Sequence, residues 1–377
     1  MKVIVNSISA KKGGIITYTR NLMRSLVKRN VDVTFALSES APLEADAPVI
    51  SISVDRISPI RRAVWEQTIW RRIVAKHKPD ILYSSANFGV LAPPVPQVLL
   101  VREGGLFDPY YLSTVAPCLD VNAVFQRVAR RKLIIASARS SQLVITPTET
   151  MKNLLLQWAG DLQGRVRSNP YGTVPDFLAP APRRRRWKED GVLRLICVSA
   201  YYPHKQPGLI AEAVAQLNVQ GVSAHLTLTM DLDQIAKSPG GSQDHFLLTK
   251  SIERGQVTMA GEIPYDELPA VYRSHDLFAF PSLSETFGHP LTEAMSTGTP
   301  IVAADTAVHR EVCKDAAVYH SPLSASDLAR QICRLNADEG LRRSLIEKGV
   351  TYVASDYMWE AHVDRLLDIF GQVMAKR

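Results

Sequence analysis

Cysteine is scarce in this chain, and what there is lies scattered. Cys118, Cys197, Cys313 and Cys333 are the only four in 377 residues, with no CxxC or other paired spacing. That pattern argues against a disulfide framework or a zinc site and suits a reducing compartment. Long apolar runs are missing too. Residues 1–10, MKVIVNSISA, are too short an apolar stretch for a signal peptide, and no segment approaches the roughly 20 residues of a membrane span. A soluble, cytoplasmic protein is expected. The chain has no internal repeat and no low-complexity segment, and no GxGxxG follows its first strand-like segment, which speaks against a dinucleotide enzyme. Its basic clusters come without a recognised binding module, so nucleic acid is not expected as a partner.

What is present is ordinary globular composition, 46% hydrophobic and 21% charged, in a chain longer than one core usually spans. The charge is unevenly spread. Residues 1–175 hold 23 basic and 12 acidic side chains, whereas residues 191–377 hold 16 and 22. A basic half joined to an acidic half suggests that the first half meets something anionic.

Lys2 to Ile8 reads as a buried strand, followed by a polar turn into Gly13-Gly14 and then by a helical pattern carrying Leu22, Leu26 and Val27. Val31–Leu37, Ile81–Ser84, Val98–Val101 and Leu143–Thr146 continue as strands. A second start appears at Leu193–Ser199, with a loop, a helix near Leu209–Leu217 and a strand at His225–Thr229. Between the two lies APRRRRWKEDG at 181–191, whose Pro, Gly and charge suit a linker. The order strand, loop, helix, strand therefore occurs twice. It predicts an α/β protein of two doubly wound, Rossmann-like domains, residues 1–180 and 191–355, facing across a cleft. From Met358, Val363, Leu366, Leu367 and Phe370 mark an amphipathic helix, 356–377, expected to cross back to the first domain.

The segment with most chemistry is PSLSETFGHPLTEAMSTGTPIVAAD, Pro281 to Asp305. Leu277–Phe280 reads as a strand, Pro290 fits the first turn of a helix running from about His289 to Ser296, Gly298 ends it, and Pro300 with IVAAD begins another strand. Glu285 then lies in the loop at a strand's carboxyl end, and Glu293 lies inside the helix. A helix start favours a phosphate, while carboxylates suit paired hydroxyls. Sugar, diphosphate and ribose in a row describe a nucleotide sugar. The plainer alternative makes Glu285 a turn cap and Glu293 a solvated helix residue.

Residues 257–305 resemble the donor-binding half of the family 4 glycosyltransferases, which have the GT-B fold. The resemblance rests on Glu285, Phe287-Gly288 and Glu293-Ala294, on the G-x-P-[IV]-V-A element at 298–303, and more weakly on Gly13-Gly14, YPHK and Trp359-Glu360. It implies an enzyme, a retaining glycosyltransferase moving a sugar from a nucleotide diphosphate sugar, with UDP favoured. Glu285 would hold sugar hydroxyls and Glu293 the ribose hydroxyls. Backbone amides of Thr286, Phe287, Gly288, His289, Leu291 and Thr292, around Pro290, would receive sugar and diphosphate. Lys205 would pair with the diphosphate, Gly14 would let the first loop approach it, and Ile263 would meet the base. Glu285 and Lys205 would be the catalytic pair, with no metal and no cofactor beyond the co-substrate.

Two positions depart from the family pattern. Ala200 stands where many relatives carry an arginine, so another cation must substitute or Lys205 and the backbone amides suffice. Arg102-Glu103 stand where many have a histidine, and these two are candidates for the acceptor side. Asp231-Leu232-Asp233 mimics a DxD metal motif and is read as loop punctuation. A hydrolase acid and base pair built from Glu285 and Glu293 is the weaker chemistry, since the leaving phosphate can take the acceptor's proton.

PIRRAVWEQTIWRRIVAKHK (59–78), which reads as one helix with basic and aromatic faces or as a core helix with a solvated face, and RVARRK (127–132) combine basic and apolar residues in the first domain. They suggest contact with an anionic membrane from its cytoplasmic side and a glycan or lipid-diphosphate-linked acceptor, as in cell-surface polysaccharide synthesis. A soluble transferase making a small glycoside, or a degenerate GT-B binding subunit, are the alternatives.

Overall fold

The computed structural model describes all residues except 11–13, 44–45, 56, 119–120, 179–184 and 376–377. Gly13 and the first arginines of the expected linker fall outside the described residues. The chain divides into two compact units. The first comprises Met1–Phe107, Phe125–Pro170 and Glu360–Arg377, and the second comprises Asp108–Val124 and Tyr171–Trp359.

The first unit is built on a parallel sheet of Lys2–Asn6 (β1), Asp32–Ser38 (β2), Val49–Ile52 (β3), Ile81–Ser84 (β4), Gln97–Leu100 (β5), Leu143–Thr146 (β6) and Val166–Ser168 (β7). Their order is β3-β2-β1-β4-β5-β6-β7, so the winding reverses between β1 and β4, where Val3 lies beside Ile81 and Asn6 beside Ser84. The strands ILYS, QVLL and LVIT are buried end to end because helices cover both faces. The one amide among them, Gln97, is fully satisfied. Its Oε1 accepts from Val90 N at 2.8 Å and Ser84 Oγ at 3.2 Å, and its Nε2 donates to Ser141 Oγ at 2.9 Å and Val90 O at 3.1 Å.

The second unit repeats the plan with Leu193–Cys197 (β8), Ala224–Leu228 (β9), Val257–Met259 (β10), Leu277–Phe280 (β11), Ile301–Ala304 (β12) and Val318–His320 (β13), ordered β10-β9-β8-β11-β12-β13. Here the reversal falls between β8 and β11, with Leu277 beside Leu195 and Phe278 beside Ile196. The segment after residue 184 packs onto this unit. Arg185 bonds Asp276 Oδ2 at 3.3 Å, and the Arg342 guanidinium stacks 4.2 Å from the Trp187 ring centroid.

Two expectations change. Asp231 is no loop punctuation: it caps the helix Leu232–Lys237, its Oδ1 accepting from Gln234 N at 2.9 Å. The stretch 59–78 is not one plain amphipathic helix. It runs as Pro59–Trp65, a π-helical turn Glu66–Trp70 and Arg71–His77. Trp70 is wholly buried, and Trp65 and Ile73 pack on the same core, so the aromatic residues serve the interior.

Candidate active site

In an open parallel sheet, ligands collect at the carboxyl ends of the strands where the winding reverses. In the second unit those ends belong to β8 and β11, and the loops leaving them carry Lys205 and Glu285. The Lys205 ammonium is bonded to the Glu285 carboxylate. It also lies 5.1 Å from the centroid of the Phe280 ring. Both side chains are nearly withdrawn from water, at 11% and 14% exposed. Burial acts to raise the Glu285 pKa, but the Lys205 charge and that of His204 outweigh it and hold the carboxyl below its usual value.

Each loop is shaped for this meeting. After β8, Pro203–Lys205 forms a 3₁₀ turn, and Gln206, at φ +50°, turns the chain into the helix Pro207–Val219. Leu283 N donates to His204 O at 2.9 Å, tying the Lys205 loop to the Glu285 loop. After β11, Gly288 sits at φ +83°, in the left-handed region, as the N-cap of the helix His289–Ser296. The conformation favours glycine, and a Cβ there would also lie 3.0 Å from Leu291 Cδ1, so that side chain would have to shift. Among the amides expected to receive the ligand, Pro290 has none to give, and Leu291 N donates to Gly288 O at 2.9 Å.

Glu293 lies inside that helix, only 5% exposed. The reading that made it a solvated helix residue is therefore wrong. Its Oε2 accepts from Tyr272 Oη at 3.0 Å. Burial pushes its pKa up to about 7, with the tyrosine bond opposing. Tyr272 is itself wholly buried, its hydroxyl pushed far above the ordinary value by that burial and by the carboxyl. Tyr265, its hydroxyl pushed up first by burial and then by the Glu293 charge, packs on Phe177 with ring centroids 5.3 Å apart. Thr292 Oγ1 donates to His289 O at 3.0 Å and receives Thr173 Oγ1 at 2.9 Å. Phe287 is buried, and His289 stacks on Tyr171 at 4.8 Å. Thr286 is half-buried in the loop between Glu285 and Phe287, Ile263 is half-buried in the loop after β10, and Ala200 is exposed beyond β8.

Sequence reasoning missed Tyr272, Tyr265 and His309. The His309 imidazole packs on Phe280 at 5.3 Å, its Nδ1 bonds Ala304 O at 2.7 Å, and burial pushes its pKa down to about 4. A tyrosine or histidine in a helix beside a strand gives no pattern that separates it from ordinary core.

In the first unit the candidate residues leave β1 and β5, the strands on either side of β4, and are tied into the surrounding structure. Gly14 opens the helix Gly14–Lys28, and a Cβ there would meet only Arg102 Nη2, at an ordinary 3.9 Å. Arg102 lies 5.9 Å from the Tyr18 ring centroid, and its N donates to Asn87 Oδ1 at 2.7 Å. Glu103 is bound to Arg130 at 2.6 Å. The structure thus brings Gly14 and Arg102 together, while Glu103 pairs with the RVARRK cluster.

The sequence profile described as "Glycosyltransferase Family 4" matches residues 12–177, and that of "Glycosyl transferases group 1" matches residues 182–351. Between them they span nearly the whole chain. It belongs to the family 4 glycosyltransferases. D-inositol 3-phosphate glycosyltransferase of Xylanimonas cellulosilytica is 25% identical over 97% of this chain and 93% of its own length. The Salinispora tropica protein of the same name is 40% identical over 29% of this chain. The chain spans only 23% of that relative's length and 45% of the Salinispora arenicola one. Among solved structures, sucrose-phosphate synthase from Thermosynechococcus elongatus superposes with a TM-score of 0.79 at 19% identity, each chain covered in full. Anabaena HepE in complex with UDP and glucose gives 0.74 at 16%, covering 98% of this chain and 99% of that one. These neighbours establish the GT-B fold for this family member.

Proposed function

We propose that this glycosyltransferase moves a sugar, with retention, from a nucleotide diphosphate sugar to a glycan or lipid-linked acceptor in surface polysaccharide synthesis. The observation carrying the reading is the meeting of Lys205 and Glu285 at the strand ends of one reversal, with Glu293 buried in the helix that follows. Lys205 would exchange its carboxylate partner for the diphosphate, and Glu285 would then accept from sugar hydroxyls. Glu293 would accept from both ribose hydroxyls, and an ionised carboxylate does this best. In the transfer itself, the bond from the anomeric carbon to the diphosphate oxygen breaks, its electron pair leaving on that oxygen. The acceptor oxygen bonds the same carbon on the same face, and its proton passes to the departing phosphate. Lys205 faces charge that grows as this bond breaks, so its contribution falls chiefly on the transition state.

UDP is the favoured nucleotide because HepE of Anabaena is described with UDP, UDP and glucose, and UDP-glucose. Thermal shift against UDP-, GDP- and ADP-sugars tests the donor, and no shift with any of them overturns the reading.

The first unit supports contact with an anionic membrane. Its segment 59–78 leaves Arg61, Arg71, Arg72 and Lys76 exposed beside Val64 and Ile69, at 59% and 46% exposed. No helix among the described residues is long and apolar enough to cross a membrane. Cosedimentation with anionic liposomes at low salt tests this, and absence of binding there refutes it.

A further inference from the structure

The Lys205 loop is fastened at both ends by one carboxylate from elsewhere. Asp244, in the helix Ser242–Glu253, is 7% exposed. Its Oδ2 accepts from Tyr201 Oη at 2.9 Å, where the loop begins, and its Oδ1 accepts from Gly208 N at 3.0 Å, where the next helix begins. The six residues between these points include the 3₁₀ turn, the left-handed Gln206 and Lys205 itself. Gly208 is fitted to the clamp: a Cβ there would stand 2.7 Å from Asp244 Oδ1. A carboxyl buried among apolar residues is costly unless its oxygens are bonded, and here each oxygen has a donor. Among the described residues, none of the three clamp residues Tyr201, Gly208 and Asp244 bonds Glu285, Glu293 or the start of the helix His289–Ser296.

We propose that Asp244 is a positioning residue for diphosphate binding, holding Tyr201 and Gly208 so that Lys205 is presented at the reversal between β8 and β11. The inference rests on the reading of Lys205 as the diphosphate's partner. A long lysine on an unfastened loop spreads its ammonium over many positions, and the clamp removes that freedom before the ligand arrives. Asp244 touches no reacting atom. Its effect passes entirely through Lys205.

The test compares whichever of UDP, GDP and ADP binds best with its parent nucleoside, by ligand-observed NMR titration of the full chain. Asp244→Ala should weaken the diphosphate about tenfold and leave the nucleoside within about twofold. Asp244→Asn should recover most of the loss, since its amide oxygen still accepts from Gly208 and its NH₂ can donate to the tyrosine oxygen. Tyr201→Phe releases one end only and should give a smaller loss of the same kind, which keeps the test open if Asp244→Ala does not fold. In a Lys205→Ala background, Asp244→Ala should cost nothing further. Equal losses for diphosphate and nucleoside, or a loss undiminished without Lys205, would overturn the proposal while leaving the donor reading intact. No diphosphate binding by the unaltered protein would bring down that reading and this inference together.

Discussion

The two units share one plan, and they use its reversal differently. In the second, oppositely charged side chains from the two adjoining strand ends meet directly, nearly shielded from water, with a second carboxyl, Glu293, buried in the helix that follows. In the first, the loop after β1 holds glycine, while Arg102 and Glu103 lie one strand beyond the reversal, after β5, and the charges are spent on their own neighbourhood. Arg130 binds Glu103, Arg131 bonds Leu106 O at 3.2 Å while lying 3.6 Å from the Trp158 ring centroid, and Arg62 binds Glu66 and Ser9. A count of basic residues therefore overstates what the first unit can offer an anion. Burial and convergence, more than net charge, separate a site from a scaffold.

The largest effect is expected where the two loops meet. Glu285→Ala should abolish transfer and Lys205→Ala should lower kcat by about 10²–10³, as for other groups facing developing charge. Initial rates with the matched donor check this, and retention of more than a tenth of activity by either variant would break the contrast between the units.

Next comes Glu293. Its folded pKa, about 7, stands above the ordinary carboxyl value, so burying it neutral contributes stability at low pH that is lost as pH rises from about 4.5 through 7. Glu293→Gln keeps an acceptor for Tyr272 without that penalty. Its Tm should exceed the parent's by about 2–4 °C at pH 8 and lose that margin towards pH 5. Nucleotide affinity should move oppositely, rising with pH through about 7 in the parent and flattening in the variant. A margin independent of pH would show that Glu293 is not buried neutral.

The first unit should respond less. Arg102→Ala should cut acceptor turnover below tenfold, and Glu103→Gln should change stability by no more than about 1 kcal/mol, the value of a half-exposed pair. Kinetics with varied acceptor and urea unfolding measure the two. Smallest for activity is Asp231→Ala, which should cost about 1 kcal/mol as a lost helix cap and leave transfer rates unchanged.

The central strands were legible in the sequence because parallel strands covered on both faces read as apolar runs, as with Ile81–Ser84 and Leu277–Phe280. The four strands not foreseen, β3, β7, β10 and β13, are the four sheet edges. Each is three or four residues long and pairs on one side only, so little of it is buried in pattern. The helix His289–Ser296 was legible from Pro290 and the glycines around it. Tyr272 and Asp244 were not, because a side chain that acts on a loop tens of residues away leaves no local spacing to read. The inclusion of Asp108–Val124 in the second unit was hidden for the same reason.

The bond between Lys205 and Glu285 also sets a threshold for what can enter. Glu285 serves as a tethered rival to any incoming oxyanion, always at hand and already seated. A lone inorganic phosphate gains only the ammonium and must evict that rival unaided, so it should bind feebly. On the proposed reading, a molecule that brings hydroxyls for the displaced carboxylate would compensate for the exchange, and selectivity for a whole donor over its fragments would follow from one swap of partners.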